Sequence, residues 1–277
     1  MTDELYRPRA NADGTYETLS IEKEGPIDWL TLNRPSALNA MSRTMMLELQ
    51  HYFGDLYTNH SVRVVLLTGA GRGFCAGLDL KEDRIDDESG PVAGLRVQRR
   101  VSEIVMRMRR APQPIISLIN GPASGGGFAL VLASDIRIAA PAARMNAAFI
   151  RIGLTACDVG VSYFLPRLVG SALASELLLT GRFLDAERAL KVGLVSQVVA
   201  QEELANAGRA MAHEIIANSP VGVRLTKECL NMSIDAGSLE SVIAMEDRQQ
   251  ILVAQTGDMR EGVGAFLEKR RPDYRDR

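Results

Sequence analysis

The stretch Gly121-Pro122-Ala123-Ser124-Gly125-Gly126-Gly127-Phe128, entered from the apolar run Ile115-Ile116-Ser117-Leu118-Ile119, decides how the chain is read. A short apolar run broken by glycines and resumed by small apolar residues predicts a strand that turns into a helix near Gly127. Adjacent glycines carry no Cβ, so the backbone can come close to a bound group. The first N–H groups of a helix have no partner within it and stand at the positive end of its dipole. Such a turn is a place to hold developing negative charge. Tight packing alone is its other use.

A second loop of this kind lies upstream. Residues 62–68, Val-Arg-Val-Val-Leu-Leu-Thr, form a largely apolar run, the pattern of a strand buried on both faces. It enters Gly69-Ala70-Gly71-Arg72-Gly73-Phe74-Cys75-Ala76-Gly77-Leu78-Asp79-Leu80. Gly69 and Gly71 match the first two positions of a dinucleotide fingerprint, but Phe74 occupies the third and no helix is expected there, which argues against a dinucleotide site. What the two loops share is a backbone N–H near the tip, from Leu78 in one and Gly126 in the other. Two such donors aimed at one oxygen form an oxyanion hole.

Working outward, residues 1–17 read as a flexible lead-in. Residues 18–21 and 27–33 read as strands parted by Gly25-Pro26. Ser42 is placed to cap a helix on which Met45, Met46, Leu49, Tyr52, Phe53 and Leu56 recur at helical spacing. Residues 81–94 are charged and poor in apolar side chains, and read as a mobile flap over a ligand. A helix is expected over 97–108, ended by Pro112 and Pro114, and a strand over 135–139. Residues 145–155 read as irregular. Helices follow over 160–168, 172–179 and from the Asp185 cap to 191, with a strand over 195–199. Beyond 201 only helical patterns remain, over 204–217, 221–234, 239–254 and 261–269. The alternation predicts an α/β core with parallel strands over 18–200 and a helical unit over 201–277, a cap or an assembly device.

Bulk composition narrows the function. With 277 residues, 46% apolar and 24% charged, the chain can bury a sizeable core. A net charge of −2 gives no support for nucleic acid or an anionic membrane as partner. The N-terminus lacks the apolar segment of a signal peptide, and no stretch is long and apolar enough to span a bilayer. Cys75, Cys157 and Cys229 are scattered, the pattern of free thiols in a reducing cytoplasm. His51, His60 and His213 are isolated, so no metal site is expected.

These motifs together resemble the crotonase (enoyl-CoA hydratase/isomerase) superfamily over about 18–275. The resemblance is carried by Leu32-Asn33-Arg34-Pro35 with Ala37-Leu38-Asn39-Ala40, by the two glycine loops, and by Ser134-Asp135-Ile136-Arg137-Ile138-Ala139. Leu179-Thr180-Gly181-Arg182, Gly193-Leu194-Val195 and Phe266-Leu267-Glu268-Lys269-Arg270 continue it. It implies a spiral of ββα units with a C-terminal helical domain that builds homotrimers, often paired as hexamers. It implies an acyl-CoA ligand of fatty acid metabolism, coenzyme A thioester being the substrate, with no prosthetic group. By family position the Leu78 and Gly126 N–H groups hold the thioester oxygen as it becomes an enolate. Backbone around Ala37, Leu38, Ala76, Asp79 and Leu80 lines the CoA groove, and Arg34 and a neighbouring subunit's Lys269 are candidates to meet CoA phosphates. Both cations also read as ordinary surface charges.

The chain departs from the family at the two glutamates its hydratases use on water and the α-carbon: those positions hold Ala129 and Phe149, which move no proton. One carboxylate remains nearby, Asp158, which resembles an aspartate placed before Val-Gly in dienoyl-CoA isomerases, given a one-residue insertion after Gly153. Buried, it would suit general acid/base work; as an N-cap type, it would equally suit capping a helix from Val159. Glu88 and Glu103 lie in or near the flap and are lesser candidates, and Cys157 has no histidine partner to activate it. Two readings stand: a hydratase or double-bond isomerase with Asp158 as proton carrier, or an acyl-CoA binding protein that kept the groove and lost the chemistry.

Overall fold

Strands β1 (Leu19–Glu24) and β2 (Ile27–Leu32) form an antiparallel hairpin across Gly25, which turns at φ +59°. The computed structural model describes residues 9–11, 14–82 and 90–277. After the hairpin, α1 (Arg43–Asp55) starts where Ser42 accepts from the Met45 N–H, and returns the chain to β3 (Val64–Gly69), parallel to β2. Helix α2 (Pro91–Arg110) crosses over to β4 (Ile115–Ile119), parallel to β3. The chain then makes β5 (Ala123–Ser124), α3 (Gly126–Ala133), β6 (Ile136–Ala139) and β7 (Arg144–Asn146), followed by a 3-10 turn over Ala148–Ile152. Helices α4 (Val161–Val169) and α5 (Ser171–Thr180), β8 (Leu184–Asp185), α6 (Ala186–Lys191) and β9 (Gln197–Val198) complete the mixed part. Helices α7 (Leu204–Ile216), α8 (Pro220–Ser233), α9 (Leu239–Ala254) and α10 (Gly257–Glu268) follow.

The strands form a six-stranded sheet in the order β1-β2-β3-β4-β6-β9, parallel beyond the hairpin, and a three-stranded sheet β5-β7-β8 that carries the glycine turn. Side chains of a strand alternate between faces, and here both faces are buried. Val65, Leu67, Ile115 and Ile119 point into the cluster shared with α1, α2 and α3. Val64, Leu66, Ile116 and Leu118 point into a second cluster with Leu204 and Ala212 of α7. That is why 64–67 reads as unbroken apolar sequence. Truncating a side chain such as Leu66, fully buried between these layers, is expected to cost about 2–5 kcal/mol. The change of composition near 200 falls between β9 and α7, yet α7 lies on the sheet: a Cβ on its Gly208 would sit 2.7 Å from Leu118 Cδ1.

The elements depart from the sequence reading at several ends. Helix α2 begins at Pro91, a residue suited to a first helical turn, so 91–94 belong to it; residues 83–89 of the expected flap lie outside the described residues. Residues 145–155 contain β7 and the 3-10 turn. Helix α4 starts at Val161 and α10 at Gly257, where Thr256 accepts from the Met259 N–H.

Candidate active site

The loop after β3 is threaded between two other segments. The Ala76 N–H donates to the Leu38 carbonyl (3.0 Å), Met41 N–H to Gly77 (2.7 Å) and Asp79 N–H to Met41 (3.1 Å) on one side. On the other, Cys75 N–H donates to Pro122 (3.2 Å) and Ser124 N–H to Cys75 (2.9 Å). Two buried amides pin the loop's carbonyls: Asn39 Nδ2 donates to those of Ala70, Gly73 and Phe74, and Asn120 Nδ2 to those of Gly69 and Gly71. Each buried carbonyl left unpaired would cost about 1–3 kcal/mol, so these side chains define the loop's shape. Asn39 itself takes φ +56°, next to Leu38 at +51°.

The two glycine loops meet backbone to backbone. Gly77 takes φ +95°, and a Cβ on it would sit 2.8 Å from the Ser124 oxygen and 3.4 Å from the Gly126 nitrogen. A Cβ on Gly127 would fall 2.2 Å from the Cys75 oxygen. Side chains at either place would push the loops apart. The amides of Leu78, which follows Gly77, and of Gly126, which opens α3, donate to no described residue. The Cys75 thiol between the loops is pushed up to about 12 by burial, with the Gly77 N–H opposing weakly, so it stays protonated and inert.

Around this junction Leu38, Leu78 and Leu80 are exposed although apolar, Ala76 is exposed and Ala37 half-buried. Arg34 Nη1 donates to the Ala40 carbonyl (2.5 Å) and Asp79 Oδ2 (2.9 Å), tying the 34–40 segment to the loop. Burial pushes the Asp79 carboxyl up, but the Arg34 guanidinium and the Lys81 and Glu82 N–H groups outweigh it and hold it below its ordinary value. Lys269 is exposed at the end of α10.

On the other side the walls are apolar. Ala129 is buried in α3, and the Phe149 ring lies against Gly125, 3.4 Å from where a Cβ would be. Asp158 is half-buried ahead of α4. Its Oδ1 accepts from Gln98 Nε2 of α2 and from the Val159 N–H (2.8 Å), and its carbonyl from the Val161 N–H (2.8 Å). The cap position of α4 is Gly160, so the Asp158 side chain does not cap a helix beginning at Val159. Helix α4 packs on α3, whose first residue is Gly126. Glu103 is engaged with Arg107 (3.1 Å) and Arg110 (3.4 Å) on its own helix, and Glu88 lies outside the described residues. Cys157 is exposed. Among the described residues no cluster of His, Cys, Asp or Glu could hold a metal, and no helix is long and apolar enough to cross a membrane.

Sequence reasoning gave no role to Asn39, Asn120 or Gln98. Both asparagines stand inside the motifs; a polar amide between a strand end and a glycine is a local signal for Asn120, whereas Asn39, in a loop between Leu38 and Ala40, carries none. Gln98 is one polar residue on an amphipathic helix, 60 positions from Asp158, and carries no local signal.

Residues 22–277 match the family model described as enoyl-CoA hydratase/isomerase. The chain belongs to that family. It is 40% identical over 268 residues to the probable enoyl-CoA hydratase EchA12 of Mycobacterium tuberculosis, covering 95% of this chain and 94% of the relative. It is also 40% identical over 247 residues to the 1,2-epoxyphenylacetyl-CoA isomerase of Escherichia coli K12, covering 88% and 93%. Among solved structures, a probable enoyl-CoA hydratase/isomerase from Mycobacterium abscessus superposes with a TM-score of 0.88 at 39% identity, over 94% of this chain and all of that one. The crotonase fold expected from the motifs is therefore the fold observed, and the members of this family frame the chemistry considered next.

Proposed function

We propose that this family member is an acyl-CoA enzyme that polarises a thioester carbonyl between the Leu78 and Gly126 amides and moves a proton with Asp158. The observation that carries the reading is the contact of the two glycine loops, which sets two undirected donors on adjacent backbone. When a proton leaves the carbon chain of an acyl thioester, the electron pair moves onto the carbonyl oxygen. Two fixed N–H groups stabilise that charge without reorganising, and removing one typically costs about 10²–10³ in rate. Asp158 then takes the proton from one carbon and returns it to another.

Isomerisation suits these walls better than hydration. Adding water requires groups that hold and activate it, and the two positions where family hydratases carry glutamates here hold Ala129 and Phe149. Moving a double bond consumes no water and needs one proton carrier. The Escherichia coli relative is named as an isomerase, the mycobacterial one as a hydratase. The backbone of Ala37, Leu38, Ala76, Asp79 and Leu80 lines the CoA groove in this reading. Arg34, held by Asp79, and Lys269 of a neighbouring copy face its phosphates. The chain assembles into trimers, alone or paired as hexamers, through its C-terminal helices, and works in the cytoplasm with its thiols reduced.

A conjugated enoyl-CoA supplies the test. Bound between two donors, its ultraviolet band shifts to the red; tight binding with an unshifted band would exclude the amide pair. In heavy water, Asp158→Asn is expected to slow deuterium uptake into the acyl chain by about 10²–10⁴-fold, the range for general acid/base groups, with binding retained. Undiminished uptake removes Asp158 from the mechanism. Binding without exchange or turnover across a panel of chain lengths would favour the acyl-CoA carrier instead.

A further inference from the structure

The Asp158 carboxylate is held on one side only. Both of its hydrogen bonds fall on Oδ1, from the Gln98 side-chain amide and the Val159 backbone amide, while Oδ2 accepts from no described residue. The Val159 contact is made in an unusual conformation. Val159 takes φ +38°, a region β-branched residues avoid, and Gly160 follows at +86°. The side chain of Val159 is buried in the main core cluster, and that packing holds the residue where its N–H reaches back to the carboxylate. Strain of this kind gathers where a group must be fixed.

Helix α2 presents Gln98 in a regular way. Val105, seven residues and two turns further on, lies on the same face, and its Cγ1 is 3.4 Å from where a Cβ on Gly160 would stand. A Cβ there would also come 2.9 Å from Phe164 Cε2. Helix α2 therefore lies along 158–164, fixed by an apolar contact at Gly160 and reaching Asp158 with a polar side chain two turns earlier. Gln98 is itself exposed, so its placement comes from the helix and not from burial.

We infer that Gln98 is a positioning residue for Asp158: with the Val159 amide it occupies Oδ1 and so leaves Oδ2 as the atom that exchanges the proton. The inference rests on the reading of Asp158 as the proton carrier. Two donors on one oxygen fix the plane of the carboxylate and direct its free lone pairs, and misplacing a reacting group by about 1 Å can cost on the order of 10²-fold in rate. Gln98→Glu keeps the size of the side chain and removes the donor; Gln98→Leu removes the polarity.

The experiment follows deuterium uptake by 3-hexenoyl-CoA and butyryl-CoA in heavy water by mass spectrometry, with binding measured by calorimetry. Both Gln98 variants are expected to slow uptake by roughly 10- to 100-fold with Kd within about twofold of the parent. In an Asp158→Asn background the same changes should produce no further loss. Val159→Gly, which frees the backbone that aims the Val159 N–H, should also slow uptake, with the thermal midpoint lowered by loss of the buried side chain. If Asp158→Asn slows uptake and both Gln98 variants do not, the positioning role is refuted and the carrier reading stands. If Kd weakens as much as the rate, Gln98 shapes the pocket and the inference also fails. If Asp158→Asn leaves uptake unchanged, or the parent protein exchanges neither probe, the carrier reading fails and takes this inference with it.

Discussion

Gly77 shows how much of the site depends on one missing carbon. Its φ of +95° and the Ser124 oxygen 2.8 Å from the place of a Cβ leave an alanine nowhere to go but away from Gly126. Gly77→Ala is therefore expected to shift the Leu78 amide and lower kcat by about 10²–10³-fold, the cost of one oxyanion donor, with a smaller change in acyl-CoA Kd. Steady-state kinetics beside calorimetric titration check this; equal losses in both would point to a collapsed groove. The glycine loops were legible because their constraint is local: glycine is required wherever backbone meets backbone. Asp158 was legible as a carboxylate but not as a clamped one, because the clamp comes from Gln98 on a helix distant in sequence.

At the scale of elements, α10 and the tail behind it form an acid-sensitive unit. Glu261 accepts from Arg270 Nη1 (2.6 Å) and Nη2 (3.0 Å) and from the Asp273 N–H (2.8 Å). The Arg270 hydrogen bonds first, then the Asp273 amide, bring its carboxyl down from 4.5 to about 2. A carboxylate more acidic in the fold stabilises it above its unfolded pKa, and that contribution disappears as pH falls through the folded one. The tail over 270–277 is thus expected to loosen between about pH 4.5 and 2. Limited proteolysis with an acid-active protease should show cleavage rising across that window, and Glu261→Gln should raise cleavage at its upper end, the tail still being held there by Asp258, which accepts from the Arg275 and Asp276 N–H groups. Elements of this size were the hardest to read. Strand β7, Arg-Met-Asn, has no apolar alternation; its strand character comes from β5 and β8 on either side. The first turn of α10 was hidden by Gly257, although Thr256 ahead of it is a good cap.

At the scale of the whole molecule, one lysine fastens the helical part to the sheet. Lys227 of α8 is buried and donates to the carbonyls of Gln113 (2.8 Å) and Met108 (3.3 Å), and pairs with Asp135 (2.7 Å) between α3 and β6. Burial pushes its ammonium down, with Asp135 opposing. Lys227→Met removes the cation from the Asp135 carboxylate, which keeps the Ile115 N–H (2.8 Å), and leaves two carbonyls without their lysine donor. Breaking a buried pair costs about 3–5 kcal/mol, and since Asp135 keeps some contact with water, about 3 is expected from denaturant unfolding. In hydrogen exchange, α8 to α10 should lose protection before β3 and β4. Helix α9 has no buried residue and leaves Leu239, Ile243, Ile251 and Leu252 exposed, as do Phe266 and Leu267 on α10. Light scattering showing a monomer at micromolar concentration would contradict the proposed assembly.

The crossing of the two glycine loops also bears on how such a protein changes over generations. A group made of main chain is encoded by no particular side chain, so replacing the residues around it, as at Ala129 and Phe149, leaves that group standing. On the proposed reading, mutation can therefore redecorate the surroundings and try new reactions on the same activated ester, while the glycines that let the loops touch are the part least free to vary.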